Sequence, residues 1–364
     1  MSGTFIGQLN DAITKKRDFL KANLHQSGKQ IDAELRQAVL QQWHSALPDA
    51  PNAAKRQAYA IDGSRRRANL ANGSTVFVAQ ALIMGDKLSE PITDLEILPG
   101  TVPAETMDRF ADLMLRSLEI GLAREFAEQI PEGSILYLDG AIYGMLPQLY
   151  PLRGTDIPED RDYASMLLES YRRLFKLCAE RNLLLVSISK TNRQALFSKI
   201  IQRNLGRSEI VEITDSALLD ELTERKVGYS TPLLLGRYSF EQGKSSVVIQ
   251  DLNVQEEPAI VSFFIRLDDM DDVLKVEVPA SCLGRRERIG HVDAELIEAE
   301  AIRPVIQLLA SDYGGLQVYN ALLYVTDLEV RLSKEKMYNI YLPMVAEVLG
   351  EELRIDRSER RFVE

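Results

Sequence analysis

Two acidic residues stand where their chemistry needs a partner. Asp62 follows the apolar run Tyr59–Ile61, Asp139 follows the apolar run Ile135–Leu138, and each acid is followed directly by a glycine. A carboxylate at the end of a buried strand is costly when it is desolvated and unpaired, so two of them indicate a shared divalent cation. The glycines allow a sharp turn or a close approach to a ligand. The alternative is a pair of ordinary Asp-Gly turns.

A third apolar run and one helix complete this pattern. The run Leu183–Ser189 predicts another buried strand, and it leads directly into Lys190 and Thr191. Between the two acids, apolar residues recur at helical spacing over about 104–129. Glu119 and Glu125 both flank this apolar stripe, and the helical phase alone does not decide between them. An acid on the margin of such a helix can lean over the strand ends.

A basic cluster, Arg65–Arg67, comes directly after Asp62, Gly63 and Ser64. Such a run is usually a solvated face, but its place beside a predicted metal ligand favours contact with a phosphate substrate. The formal net charge of −11 argues against a protein that coats nucleic acid with its whole surface. It leaves open a locally basic channel, because phosphate contacts depend on local clusters of Lys and Arg.

The elements that must position these residues form a mixed α/β pattern. A helical arm is predicted over about 4–46, followed by a strand hairpin, the 104–129 helix, the Asp139 strand, a helix over about 163–181 and the strand before Lys190. A hairpin followed by strand-helix-strand alternation predicts a mixed sheet with helices on its faces. This is the plan of RNase H-like folds, in which carboxylates from adjacent strands and a helix meet around two divalent ions.

The sequence divides into three predicted regions. Residues 1–50 form an N-terminal helical arm, residues 51–350 form a nuclease-like domain with a β-rich insertion at about 240–280, and residues 351–364 form a tail. The acids predict phosphodiester cleavage by a two-metal mechanism, in which one ion activates water and the other stabilises the leaving oxygen. Oxygen ligands favour Mg²⁺ or Mn²⁺, and a nearby lysine can stabilise developing phosphate charge.

These motifs resemble those of the NurA nuclease family. The resemblance rests on Ala60–Ser64, on the helix acid that precedes Tyr137–Gly140, and on Ser187–Thr191, and it extends from about residue 59 to residue 333. The family's last motif resembles Thr326–Ser333, although Tyr319–Leu322 stands where the family has prolines. No single motif is specific, but their order and spacing together are.

The resemblance implies a set of functional residues. Asp62, Glu119 and Asp139 would be metal ligands, Lys190 would be the active-site lysine, and Asp327 would be the acid of the last motif and a further ligand. The proposed DNA contacts are Ser64 and Arg65–Arg67.

The resemblance also implies an activity and partners. It implies an Mn²⁺-dependent (or Mg²⁺-dependent) DNA nuclease, a 5'–3' exonuclease and single-strand endonuclease, that is a homodimer and acts with a HerA-type hexameric ATPase in DNA end resection. Two alternatives stay open. A non-catalytic DNA-binding adaptor of the translocase would keep the fold without cleavage, and an actin-like or sugar-kinase ATPase would need a second phosphate loop.

Composition excludes other classes. The chain has 364 residues, 45% of them hydrophobic and 27% charged, which is ordinary globular usage. No apolar run approaches the roughly 18 residues that span a bilayer, and we see no secretory signal. Two cysteines, Cys178 and Cys282, make neither a disulfide framework nor a zinc site. We therefore expect a cytoplasmic protein that is not in a membrane.

Overall fold

A computed structural model describes residues 5–24, 31–49, 56–148, 163–190, 194–237, 254–316 and 318–360. The α-helices in these ranges are α1 (Phe5–Lys15), α2 (Arg17–Leu24), α3 (Ala33–Gln41), α4 (Ala104–Ala127), α5 (Tyr163–Glu180), α6 (Leu196–Asn204), α7 (Asp215–Leu222), α8 (Arg303–Ser311), α9 (Ala321–Val330), α10 (Lys334–Lys336), α11 (Leu342–Leu349) and α12 (Arg357–Arg360). The strands are β1 (Trp43–His44), β2 (Ala58–Asn69), β3 (Thr75–Gly85), β4 (Leu88–Leu98), β5 (Ile135–Asp139), β6 (Leu184–Ser189), β7 (Gly228–Ser230), β8 (Leu233–Leu235), β9 (Ile260–Arg266), β10 (Leu274–Pro279) and β11 (Glu295–Leu296).

The strands form a mixed sheet in the order β1-β7-β9-β10-β6-β5-β2-β3-β4, with β8 and β11 joined to it through β9. The hairpins β2-β3 and β3-β4 are antiparallel, whereas β5 runs parallel to both β2 and β6. A hairpin that leads into parallel strands is the RNase H-like plan expected from the sequence. The predicted fold class, a mixed sheet flanked by helices, is therefore confirmed.

Alternating side chains give the sheet two apolar faces. Leu136 and Leu138 of β5 lie in the core that α4 and α5 cover, whereas Ile135 and Tyr137 lie in the core on the other face, together with residues of α8. Strands that are covered on both faces are continuously apolar, which explains the unbroken runs before Asp139 and Lys190.

A third apolar cluster joins the far end of the β2-β3 hairpin to the C-terminal helices. Ala68 and Val76 pack there against Leu332, Met337 and Leu342. The π-helical turn Met337–Tyr341 connects α10 to α11 in this cluster. This packing holds α9 against β2, and α9 carries Asp327.

One detail of the hairpin differs from the sequence-based expectation. Asp62 does not end its strand, because β2 continues to Asn69 and stays paired with β3 throughout. Asp62 is opposite Leu82, and Arg66 is opposite Val78. Polar and apolar residues do not alternate after Asp62, so the sequence did not predict this part of the strand. Its two faces are covered by α4 and by the C-terminal segment.

The predicted β-rich insertion extends the same sheet. The runs Ala259–Leu267 and Val273–Val278 correspond to β9 and β10, which pair with each other, and β10 pairs with β6. The first part of the predicted insertion, up to residue 253, lies outside the described residues. Within the described ranges, no helix has both the length and the apolar character needed to cross a lipid bilayer.

Candidate metal centre

Five elements bring the predicted site residues to one end of the sheet. Asp62 lies within β2, Asp139 ends β5, and Lys190 directly follows β6. Because β2, β5 and β6 are parallel neighbours, these three residues lie side by side. α4 supplies Glu119 from one face, and α9, packed on β2, supplies Asp327.

Asp62 is a buried acid of this group with one carboxylate oxygen that has no partner among the described residues. The residue is only 5% exposed. Its Oδ1 accepts a hydrogen bond of 2.7 Å from the Gly63 N–H, while its Oδ2 is buried and has no hydrogen-bond partner. Burial raises the pKa of Asp62 to about 8, and the charges of Asp139 and Glu119 add to that rise. A buried carboxylate oxygen without a donor, among other carboxylates, is the environment that a cation would relieve.

Glu119 is also buried, and it pairs with a residue that the sequence analysis did not single out. Arg116, one helical turn earlier, approaches Glu119 Oε2 to 2.8 Å and donates a hydrogen bond of 2.8 Å to the backbone carbonyl of Asp139. Burial raises the pKa of Glu119 to about 7 against the lowering effect of Arg116. Glu125 is exposed, so the structure places Glu119, and not Glu125, beside the strand acids.

The glycines after the two acids make room for this helix pair. A Cβ on Gly63 would lie 2.7 Å from Glu119 Oε1 and 3.1 Å from the backbone carbonyl oxygen of Gln80. Gly140 has a φ of +96°, and a Cβ there would lie 2.1 Å from the guanidinium of Arg116. The Asp-Gly repeat therefore has a physical reason: each acid is followed by the only residue that lets α4 place a charged group against the strand.

Lys190 neutralises Asp139. Its Nζ lies 2.8 Å from Asp139 Oδ2 and 5.1 Å from the centre of the Tyr319 ring. Burial by itself lowers the pKa of Lys190, but the negative charge of Asp139, with smaller contributions from Asp62 and Asp327, raises it above the ordinary lysine value. Lys190 is therefore an ammonium at neutral pH, and three carboxylates attract its charge.

Tyr319 and Asp327 complete the site on the side of α9. The Tyr319 hydroxyl is buried and lacks a hydrogen-bond partner. Burial raises the pKa of Tyr319, and the charges of Asp139, Asp62 and Asp327 raise it further. Asp327 is partly exposed and pairs with Arg331 at 3.0 Å. The sequence offered one signal for Tyr319, its place in the segment where the resembling family has prolines.

The donor set fits a hard divalent cation. Carboxylates that repel each other, with the unpartnered Oδ2 of Asp62 among them, match the ligands that Mn²⁺ and Mg²⁺ prefer. Among the described residues, however, no three His, Cys, Asp or Glu side chains already stand in a metal-binding arrangement. Two of the acids pair with basic side chains instead: Glu119 pairs with Arg116, and Asp139 pairs with Lys190.

The predicted DNA contacts do not form one patch. Arg65 and Arg67 lie on the α4 side of β2 and pair with Asp112 and Asp108, each at 2.5 Å. On the opposite side, Arg66 donates to the carbonyl of Leu332, and Ser64 Oγ accepts a hydrogen bond of 3.0 Å from the N–H of the same residue. Strand alternation thus separates the three arginines, and their role in DNA binding stays a prediction.

Comparison with known proteins supports the resemblance. The family model for the NurA domain matches residues 56–311. Among solved structures, the NurA nuclease from Sulfolobus solfataricus is 17% identical with a TM-score of 0.59, and the match covers 94% of this chain and 97% of that one. A NurA structure with manganese is 14% identical with a TM-score of 0.59, covering 93% of this chain and 98% of that one. A NurA structure bound to dAMP and manganese is 14% identical with a TM-score of 0.55, covering 93% and 96%. No curated protein matches the sequence.

Proposed function

The chain belongs to the NurA family, and from this premise we propose that it is a metal-dependent deoxyribonuclease, a phosphodiesterase that hydrolyses DNA. The observation that carries the proposal is the buried acid cluster. Asp62, Glu119 and Asp139 converge from two parallel strands and a helix, and the Oδ2 of Asp62 has no partner. Such convergence of like charges is unfavourable for folding, so it indicates a function.

We propose Asp62, Glu119, Asp139 and Asp327 as the ligands of Mn²⁺, or alternatively of Mg²⁺. Two NurA structures of similar fold contain manganese, which supports Mn²⁺ as the cofactor. When bound, two such ions would supply Lewis acidity to the attacking water and to the leaving oxygen of the phosphodiester.

The chain's own cations have separate roles in this proposal. Lys190, an ammonium between Asp139 and the Tyr319 ring, would turn towards the scissile phosphate and stabilise its growing negative charge. Arg116 stays with Glu119 and the Asp139 carbonyl, and so favours the ionised form of Glu119 and holds it in place. The Tyr319 hydroxyl, buried without a partner, would donate a hydrogen bond to a phosphate or water oxygen.

We further propose how the substrate and partners are bound. Ser64 and Arg65–Arg67 would contact the DNA backbone after exchanging their present partners for phosphates. The family resemblance supports 5'–3' exonuclease and single-strand endonuclease activities in DNA end resection, in the cytoplasm, as a homodimer working with a HerA-type hexameric ATPase. Exposed apolar residues on α1, among them Phe5 and Leu9, are consistent with protein partners.

The test is cleavage of end-labelled single- and double-stranded DNA in Mn²⁺, Mg²⁺ or EDTA. We expect cleavage in Mn²⁺, none in EDTA, and none in Mn²⁺ for Asp62→Asn or Asp139→Asn. Asp272→Asn is the matched control, because it makes the same chemical change at an exposed hairpin turn. Cleavage that survives EDTA would exclude the metal mechanism. A wild-type protein that binds DNA but never cleaves it would favour the adaptor alternative.

A further inference from the structure

β10 carries an ion pair in the interior of the protein. Lys275 Nζ lies 2.5 Å from Glu277 Oε1, and both side chains are almost fully buried. In the register of the sheet, Lys275 is opposite Ser189 and Glu277 is opposite Ser187 on β6. A buried ion pair is a poor source of stability, since desolvation offsets its attraction. The pair lies on β10, which only β6 separates from β5 and its Asp139, and its presence there therefore needs another reason.

Glu277 holds the segment that follows Asp139. Its Oε2 accepts hydrogen bonds from the backbone N–H groups of Ile142, at 2.6 Å, and Tyr143, at 2.8 Å. The Ser187 hydroxyl, opposite Glu277, donates to the carbonyl of Gly140 in the same segment. The chain that leaves Asp139 is thus fixed at Gly140, Ile142 and Tyr143 by groups on β6 and β10.

Lys275 holds Gln194, the first described residue after Lys190. Its Nζ donates a hydrogen bond of 2.9 Å to Gln194 Oε1. The backbone carbonyl of Gln194 accepts the N–H of Asp215, and the Asp215 carboxylate accepts three consecutive N–H groups at the start of α6. The Gln194 side chain also packs against Gly144, where an added Cβ would lie 3.1 Å from its Nε2. The two segments therefore meet at Gln194.

We propose that Lys275 and Glu277 are a positioning pair, which sets the relative placement of Asp139 and Lys190 without contacting DNA or a cation. The inference rests on the proposed nuclease function. Glu277 anchors the segment after Asp139, and Lys275 anchors Gln194 and is opposite Ser189, the residue before Lys190. The short Lys275–Glu277 contact therefore joins both anchors on one strand. Positioning of this kind supports the groups that contact the reacting atoms.

The test separates stability from positioning. Glu277→Leu alone leaves a buried ammonium unpaired, so it lowers the melting temperature. Lys275→Met with Glu277→Leu removes both charges and restores most of that loss, because an apolar pair of similar size is tolerated in a core. The double variant nevertheless lacks the acceptor for Ile142 and Tyr143 and the donor for Gln194. We expect its cleavage rate in Mn²⁺ to stay about tenfold to 100-fold below wild type.

A second readout does not depend on activity. Because Glu277 accepts the Ile142 and Tyr143 N–H groups, we expect slow hydrogen exchange of these amides in the wild type. Their exchange should accelerate about tenfold or more in the double variant, while Leu138 amide exchange stays unchanged. Glu277→Gln is an isosteric second variant for the case in which the double variant does not fold. It keeps an oxygen for the two N–H groups but loses the charge for Lys275, so we expect an intermediate cleavage rate.

Arg266→Met is the matched control. Arg266 is fully buried and pairs with Asp220, and within the described part of the chain its hydrogen bonds go to Asp271, Thr223 and Lys226, away from Gln194 and the segment after Asp139. It should lower the melting temperature and leave the cleavage rate near the wild-type value. A double variant that regains both stability and cleavage, with unchanged amide exchange, would overturn the positioning role. A wild-type protein that does not cleave DNA would instead overturn the proposed function, and amide exchange would then decide the positioning role alone.

Discussion

At the scale of single residues, the acid cluster is defined by the energy of its charges. Burial and mutual repulsion raise the pKa of Asp62 to about 8 and that of Glu119 to about 7 in the metal-free protein. In an unfolded chain the corresponding values are near 3.9 and 4.3. Near neutral pH the folded protein therefore holds protons that the unfolded chain releases. The stability of the metal-free protein should then depend on pH.

The first prediction concerns the stability of the metal-free protein. Because the folded pKa values are raised, the stability that these groups contribute is fully present below about pH 4, where the unfolded chain is protonated too, and it is lost as pH rises through about 8. The melting temperature in EDTA should therefore fall as pH rises. Asp62→Asn should flatten this fall and, at high pH, add on the order of 5 kcal/mol to the free energy of unfolding. Thermal melts across this pH range test it, and equal slopes for both proteins would contradict it.

A second prediction distinguishes the two acids of α4. Glu119→Gln should abolish Mn²⁺-dependent cleavage, because Glu119 is buried beside the strand acids, whereas Glu125 is exposed. Glu125→Gln makes the same change six residues later on the same helix and should leave the rate near wild type. Calorimetric titration with Mn²⁺ gives an independent readout. If Glu125→Gln were the inactive variant, the described helix phase would be wrong.

At the scale of elements, the close approach of α4 to β2 and β5 creates the site. We predict that Gly63→Ala disturbs it, because the added Cβ would lie 2.7 Å from Glu119 Oε1 and 3.1 Å from the Gln80 carbonyl oxygen. Cleavage should fall strongly. Gly121→Ala is the control on α4 itself, where nothing lies within 4 Å of the added Cβ. It should stabilise the protein by about 0.5–1 kcal/mol and keep activity. Active Gly63→Ala would show that the helix can move away at little cost.

The elements also show what the sequence could predict. The apolar stripe predicted a helix over 104–129, and α4 spans Ala104–Ala127. This prediction succeeded because apolar residues at helical spacing mark the buried face of a helix. The continuation of β2 beyond Asp62 was not predicted from the sequence. Its arginine side chains are covered by α4 and by the C-terminal segment, which only the tertiary structure shows. Lys275 and Glu277 alternate with apolar residues on β10, which is typical of a solvated face, yet both are buried. Only the tertiary fold decides which side of a strand is covered.

At the scale of the whole molecule, the proposed function requires a chain with a net charge of −11 to bind a polyanion. We predict that Arg65→Ala with Arg66→Ala and Arg67→Ala weakens DNA binding and flattens its dependence on salt. On single strands, each lost phosphate contact should reduce the logarithmic salt slope by about 0.7. Asp108→Ala with Asp112→Ala should do the reverse, because it frees Arg67 and Arg65 from their partners. Binding isotherms at several salt concentrations give the slopes, and an unchanged slope in the triple variant would make the cluster a solvated face.

The N-terminal helix α1 presents an exposed apolar stripe. Phe5 is 91% exposed, Leu9 is 60% exposed, Ile6 and Ile13 are exposed on the same side, and α1 has no buried residue. An apolar stripe of this kind on a helix is stable when it packs against a partner surface. We predict that a second copy of the chain or a hexameric ATPase supplies that surface.

The last prediction tests this role. Phe5→Glu with Leu9→Glu places two charges in the apolar stripe, and it should reduce dimer mass in light scattering, or co-elution with the ATPase, while Mn²⁺ binding stays intact. Gln8→Glu with Thr14→Glu adds the same charges to exposed positions on the other side of α1 and should change neither. Desolvating two carboxylates opposes association far more than any effect on the helix itself. A wild-type protein that is monomeric at micromolar concentration, with ATPase co-elution unaffected by the stripe variant, would assign α1 no role in assembly.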